Sequence, residues 1–556
     1  NLGKYEAEFT SRLEELKSSN VVSRIWEKDH TVWRDDPTEI SNRLGWLDCS
    51  EVAKTNLNEI TEFVEQIKSE GFTHALLLGM GGSSLAPEVL RKILGVKSGY
   101  LDLSILDSTH PDQVQRLINK YKKEKTLYIV STKSGGTVET ISFMKRFYNT
   151  TMDLFGKDNV GDRFIAITDP GSGLEQMAKD LHFRKIFIND PNIGGRYSAL
   201  SLFGLVPAAL IGVDLGEFIK LVDVELINSK EDNCSASNIG VALGVLAEKG
   251  IDKVTYVLAN EFAPFGAWAE QLIAESTGKE GTGILPIEDE EVLSPSEYSR
   301  DRVFVSIKMK DDNLNANKIA DLIDEGFPVI EIELNSLYEL GAQFFLWEMA
   351  TVIASWVINI QPFDQPNVEE AKIIARKMMS DYFKKGELAK LTPALEDNGI
   401  KVFGDNVASD LSEVIPQFMN TMASGANEIV GRSYVSIQAY VDMNEEALSV
   451  LQTLRTKIQK EFKVATTIGF GPRFLHSTGQ LHKGDSGNGM FIQIVSKNKL
   501  DVDIPDEAGK TESTVSFNVL VNAQALGDRA ALLENKRNVI RFDISENVKT
   551  DIAKLF

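Results

Sequence analysis

The residues best suited to chemistry lie in two glycine-bearing loops. One reads STKSGGT, Ser131–Thr137, between an apolar run, Tyr128–Val130, and a helix-forming stretch from about Val138. The other reads GMGGSSLAPE, Gly79–Glu88. Free backbone N–H groups at a helix start attract an anion. Thr132, Ser134 and Thr137 add neutral donors there, and Lys133 adds one charge. That set suits a single terminal phosphate better than a polyphosphate. It is neither a Walker A loop nor a dinucleotide GxGxxG loop. In the second loop Gly79, Gly81 and Gly82 let backbone approach a ligand closely, and Ser83 and Ser84 open the next helix. The competing explanation of either loop alone is a glycine turn before a well-capped helix.

Something must hold both loops at one place, and the surrounding pattern says what. From Phe72 onward short apolar runs alternate with amphipathic stretches: THALLLG, LDLSILDS, TLYIVS, FIAITD and KIFIND read as strands. Such alternation predicts a parallel sheet with helices on both faces, whose ligands bind beyond the carboxyl ends of the strands. Both loops follow strands and therefore share that edge. Residues 1–70 are predicted to be a helical extension, 71–230 the first α/β domain, and 231–383 a second one with strands at KVTYVLA, RVFVSIKM and FPVIEIEL. The polar stretch 384–406 is predicted to be a linker, and 407–556 a third α/β domain. In that domain the loop GPRFLHSTGQLHKGDSGNG follows the strand VATTIGF.

Composition narrows the function classes. The 556 residues are 43% hydrophobic and 25% charged, enough for large cores. A net charge of −22 repels nucleic acid and anionic lipid, so a bound phosphate must be small and held by a local pocket. Two cysteines, Cys49 and Cys234, make no disulfide framework and point to a reducing compartment. No metal-ligand spacing is present, so no metal is expected. The opening NLGKYEAEF has neither a signal-peptide core nor an initiator Met, as expected of a processed chain or a piece of a longer one. The longest apolar run, between Ala199 and Val213, falls short of the ~20 residues of a membrane span. The expectation is a cytoplasmic protein with no membrane or nucleic-acid partner.

Taken together, the two loops resemble those of the sugar-isomerase (SIS) domain. Three further segments resemble the phosphoglucose isomerase family: NIGGRYSALSLFG (Asn192–Gly204), EQLIAESTGK (Glu270–Lys279) and FDQPNVEEAK (Phe363–Lys372). The five motifs stand in the family's order across roughly residues 75–375. The resemblance implies an α/β fold of two tandem SIS-type doubly wound parallel sheets, with a third α/β region outside the pattern. It implies an aldose–ketose isomerase that interconverts glucose 6-phosphate and fructose 6-phosphate through a cis-enediol, with no cofactor. By the same resemblance Glu275 is the base, Arg196 stabilises the enediolate, and Lys372 contacts a substrate oxygen or assists ring opening. Gln271, Gln365, Gly82 and Gly195 contact substrate, and Ser83, Thr132, Lys133, Ser134 and Thr137 hold its phosphate. Gln271 lies four residues before Glu275 on one helical face. Gln365 and Lys372 are predicted to share a helical face, with Pro366 in its first turn. Asn367 stands where the family has Gly.

The resemblance fails at one point. The family opens the sugar ring with a histidine ahead of the FDQ motif, often supplied by a dimer partner. The corresponding segment here, LYELGAQFFLWE (Leu337–Glu348), has none, and Glu339 stands in its place. The third region offers His476 and His482 as alternatives, since histidine is a suitable proton shuttle near neutral pH. That region, with the missing Met, resembles the isomerase half of a transaldolase–isomerase fusion; homodimer and fusion both stay open. Two other functions remain in view: an isomerase of another hexose phosphate, and a regulatory sugar-phosphate-binding SIS protein without turnover.

Overall fold

A computed structural model describes residues 1–422 and 433–556, apart from the side chains at 370 and 371. The first sheet contains β1 (His74–Gly79), β2 (Asp102–Leu106), β3 (Thr126–Ser131), β4 (Phe164–Thr168) and β5 (Lys185–Ile188). Their order is β2-β1-β3-β4-β5, and every pairing is parallel. The central strands are continuous apolar runs because helices cover both faces. The order reverses at β1, which makes its carboxyl end a topological switch point. Gly79 pairs with Ser131 in register, so the two glycine loops leave neighbouring strand ends.

The second sheet contains β6 (Lys253–Leu258), β7 (Leu285–Ile287), β8 (Arg302–Met309) and β9 (Val329–Leu334) in the order β7-β6-β8-β9, again parallel. Strand β7 is three residues long and carries no periodicity that sequence can register. Between the sheets runs the helix Leu340–Val357, flanked by Ser235–Glu248 and Leu215–Asn228. With its leading turn, Leu337–Val357, it is long and apolar enough to cross a bilayer, yet 89% of its most apolar 18-residue stretch is buried as the central core element. Its close neighbour explains the small residues of SNIGVALG: a Cβ at Gly244 would collide with Val357. Residues 1–70 form helices Glu6–Ser18, Val21–Trp26 and Cys49–Ser69 on the same core, where Trp46 stacks on Tyr197 and Trp33 meets Phe363 edge-on.

The third sheet contains β10 (Leu395–Asp397), β11 (Ile400–Phe403), β12 (Tyr434–Tyr440), β13 (Ala465–Phe470) and β14 (Gly489–Ser496). After the small hairpin of β15 (Asp503–Ile504) and β16 (Val515–Ser516), it is completed by β17 (Asn538–Ile544), in the order β10-β11-β17-β14-β12-β13. Strands β12, β13, β14 and β17 are parallel, while β10 and β11 add an antiparallel edge. The stretch 384–406 is therefore not simply a linker: Ile400 and Val402 are fully buried in the third core, and their alternation with Lys401 is a strand pattern. Nor does the third region stand apart. Its Tyr434, Leu481 and Phe491 share an apolar cluster with Ala274, Leu285 and Ile287. On another side, Val502, Ile504 and Phe517 enter the core of the first sheet, where Phe517 stacks on Phe143.

Candidate active site

The loop after β1 is built for close backbone contact. Gly81 adopts φ +55, and a side chain there would press on Gln271 Nε2 and on the carbonyl and Cβ of His476. A Cβ at Gly82 would overlap the carbonyl of Gly195. Two glycines thus bring together pieces of all three sheet regions: the β1 loop, the turn Gly195–Tyr197, the helix Phe265–Thr277 and the turn Arg473–His476.

The helix Phe265–Thr277 presents Gln271 and Glu275 on one face. Gln271 Nε2 donates to Glu275 Oε2 at 3.2 Å and to the His476 carbonyl at 2.8 Å. Gln271 Oε1 is buried with no partner among the described residues, an acceptor suited to a sugar hydroxyl. Arg196 Nη1 lies 3.5 Å from Glu275 Oε1 and donates to Gln365 Oε1 at 2.9 Å. The rest of the guanidinium is locked: Nε donates to Ser276 Oγ, and Nη2 to the carbonyls of Pro362 and Asp364. Tyr197 completes this shell by sharing Ser276 Oγ at 3.0 Å. Glu275 is only 13% exposed, unlike the solvated surface acid its sequence context alone suggests.

The phosphate loop closes on itself. Thr132 Oγ1 and Thr137 Oγ1 lie 3.0 Å apart, and Ser134 Oγ accepts from Gly136 N. Ser83 takes part through its backbone, its carbonyl accepting from Ser131 Oγ at 3.0 Å. Thr137 precedes the helix Val138–Phe155 without capping it by its side chain, so the first N–H groups of that helix stay available to an anion. Lys133 departs from the sequence expectation of a free charge: Asp169 pairs with it, and it donates to Pro191 O at 2.7 Å. A cavity of about 380 Å³ opens beside it, lined by Lys133, Ser134, Asp169, Gly195, Arg196 and Gln365, together with Arg43. Arg43 comes from the N-terminal region and went unnoticed in the sequence, where nothing marks a lone arginine.

The ring-opening candidates separate. His476 lies in the site: its Nε2 is 3.0 Å from Glu139 Oε1, and Gln524 Nε2 donates to the same oxygen at 2.7 Å. Burial raises the Glu139 carboxyl, but the His476 charge and hydrogen bond outweigh it and hold the group below its ordinary range. Arg473, three residues before His476, pins the loop to the first sheet region by pairing with Glu88 and, at 3.2 Å, with Asp107 Oδ2. His482 is a different case. It is 1% exposed, packed among Tyr434, Phe474 and Phe491, and burial pushes its imidazole well below the usual value. It is a neutral core residue, because the short helix Gly479–Gly484 turns it inward. Glu339 also falls away: its carboxylate bonds go to Asn335 at the end of β9.

Lys372 and Gln365 do not share a helical face. Gln365 precedes the helix Pro366–Lys385 in a non-helical conformation, whereas Lys372 lies on an exposed turn and pairs with Glu369 at 2.7 Å. Its charge still reaches Glu139, which it helps to hold deprotonated. Asn367 fills the place where a Gly was expected, its side chain accepting from Gln480 Nε2 at 2.7 Å.

Residues 38–280 match the sequence model of a family described as phosphoglucose isomerase. A probable glucose-6-phosphate isomerase of Methanococcus maripaludis is 27% identical over 414 residues, 66% of this chain and 88% of that protein. The glucose-6-phosphate isomerase of Mycoplasmopsis pulmonis is 25% identical, across 65% of this chain and 95% of the relative. In fold, the chain is similar to a glucose-6-phosphate isomerase from Chlamydia trachomatis, with a TM-score of 0.57 and 15% identity over 67% of this chain and 86% of that one. The sequence pattern of the phosphoglucose isomerase family thus runs through residues 38–280, the stretch that holds both glycine loops, Arg196 and Glu275.

Proposed function

We propose that this chain interconverts glucose 6-phosphate and fructose 6-phosphate by moving one proton between C-1 and C-2. The observation that carries this is the Gln271 bridge, which joins a carboxylate, Glu275, to the segment bearing an imidazole, His476, beside two phosphate-type loops. Glu275 takes the proton from one carbon and returns it to the other. A positioned base of this kind contributes about 10²–10⁴ in rate. Arg196, rigid and beside Glu275, faces the oxygen that becomes the enediolate; one such contact is worth about 10²–10³. His476 shuttles the ring-opening proton, oriented by Glu139. The third region of the same chain supplies it, so the missing histidine of Leu337–Glu348 is replaced within one chain.

The test is interconversion of the two sugar phosphates by the chain alone, beside Glu275→Gln. The expected result is activity that falls at least about a hundredfold in the variant, with fructose 6-phosphate still binding. Binding without turnover in the wild type overturns the reading in favour of a regulatory sugar-phosphate-binding protein.

A further inference from the structure

The turn Gln361–Asp364, rich in inward carbonyls, is gripped from two sides. Arg196 Nη2 donates to Pro362 O at 2.7 Å and to Asp364 O at 2.9 Å. From the other side Lys279 Nζ donates to Gln361 O at 2.9 Å, Asp364 O at 2.6 Å and Asp364 Oδ1 at 2.8 Å. One carbonyl, that of Asp364, thus serves both cations. Lys279 is 1% exposed. An ammonium has three N–H donors, and all three are used here. The turn itself is closed by the Gln361 side chain, which accepts from the amides of Phe363 and Asp364. The next residue is Gln365, which holds Arg196 Nη1. Lys279 stands two residues beyond the helix that ends at Thr277 and carries Glu275.

We propose that Lys279 is a positioning residue for the isomerisation: its buried ammonium ties the end of the Glu275 helix to the turn that seats Arg196 and Gln365. The tie sets the distance between base and guanidinium. It rests on the isomerase reading above. Misplacing reacting groups by about 1 Å can cost on the order of 10² in rate; Lys279 makes the tie from the helix side, where Arg196 makes it from the first region through Ser276, Pro362 and Asp364.

The charged groups facing Lys279 are Arg196 from the first region, Glu275 from its own helix and Asp364 from the turn. Beyond the turn, Arg34 of the N-terminal region pairs with Glu280 at 2.9 Å. Burial, and then the Arg196 charge, push the ammonium down; Asp364 and Glu275 push it up; the balance leaves it at about 8. A neutral amine has two N–H donors for these three acceptors, so deprotonation breaks one of the three bonds. The tie therefore slackens as pH rises through about 8.

The experiment records kcat and KM for fructose 6-phosphate against pH in the wild type, Lys279→Arg, Lys279→Met and Asp364→Asn. Expected are an alkaline fall in wild-type kcat near pH 8, its disappearance in Lys279→Arg, and its shift to lower pH in Asp364→Asn. Lys279→Met should lose on the order of 10² in kcat with little change in KM. A merely structural lysine would lower thermal stability and leave the pH profile of the folded fraction unmoved. An alkaline limb unchanged in both Lys279→Arg and Asp364→Asn overturns the proposal, as does wild-type kcat in Lys279→Met. If the Lys279 variants do not fold, Asp364→Asn decides: Asp364 is 32% exposed, and although the change removes the counter-charge of the buried ammonium, the carbonyls of Gln361 and Asp364 still accept from it. A wild type that turns nothing over overturns the isomerase reading and the role built on it. A ¹³C NMR titration of the lysine side chains in that same sample separates the two failures: a signal near 8 keeps the tie itself, and one at the ordinary 10.5 removes it.

Discussion

His476 Nε2 stands 3.0 Å from Glu139 Oε1, although the two residues are 337 positions apart. Glu139 lies in the first turn of the helix that follows the phosphate loop, and His476 in the third sheet region. The pair therefore ties the helix after the STKSGGT loop to the turn Arg473–His476, and in the proposed isomerase it would couple a phosphate anchor to the ring-opening group. Arg473 strengthens the coupling by fixing the same loop on Glu88 and Asp107.

Replacing His476 by Ala should slow turnover of the cyclic substrate by about 10²–10⁴ and spare the open-chain form. His482→Leu is the control, because His482 is core and, among the described residues, has no hydrogen bond to Glu139, Gln271 or Glu275. Rapid-mixing kinetics with each substrate form reads the difference. Equal losses on both forms in His476→Ala would remove histidine from ring opening.

Gly82→Ala probes the meeting of two loops. The added methyl has nowhere to go except into the Gly195 carbonyl and the Arg196 amide. The expected cost is about 1–3 kcal/mol of stability, together with a fall in kcat as Arg196 shifts. Thermal melts and kinetics check both; a variant with wild-type melting and activity would show that the loops part freely.

Glu348 gives a pH-dependent prediction. It is fully buried in the helix Leu340–Val357, neither of its oxygens has a partner among the described residues, and burial raises its carboxyl well above 4.5. A carboxyl raised on folding contributes stability that is complete below its unfolded value and is lost as pH rises toward the folded one. Glu348→Gln removes that titration. Its melting temperature should gain on the wild type steadily from pH 5 upward, and a difference constant with pH would rule the effect out.

Most of the site was legible in the sequence where local chemistry was dense. The hydroxyls of the STKSGGT loop and the glycines of GMGGSS declared themselves by type and interval, whereas Gln271 and Glu275 were marked only by the resemblance of EQLIAESTGK to a known family. The apolar strands did too, since burial on both faces leaves an unbroken run. What stayed hidden depends on distance along the chain. Nothing in the residues around Lys133 reveals that Asp169 neutralises it, and nothing near His476 distinguishes it from His482, six positions on. One faces Glu139 and the other faces Phe491, a choice made by the turn Arg473–His476 and the helix after it. The hairpin of β10 and β11 was hidden for another reason: β10 has three residues and β11 four, an alternation too brief to stand out from the polar stretch around it, and β17, the partner of β11, begins more than a hundred residues later.

The division of labour between helix Phe265–Thr277 and turn Arg473–His476 also has a consequence in time. A ribosome reaches Glu275 well before His476, which lies 201 positions later. At about 5–20 residues per second that interval lasts roughly 10–40 s. Through it a nascent chain carries Glu275, Arg196 and both glycine loops but not His476, the ring-opening group of the proposed isomerase. The apolar patch of Ala274, Leu285 and Ile287 waits uncovered for Tyr434, Leu481 and Phe491. The newborn polypeptide is thus most exposed to aggregation over the same stretch of synthesis in which its site is incomplete, and one docking event ends both conditions.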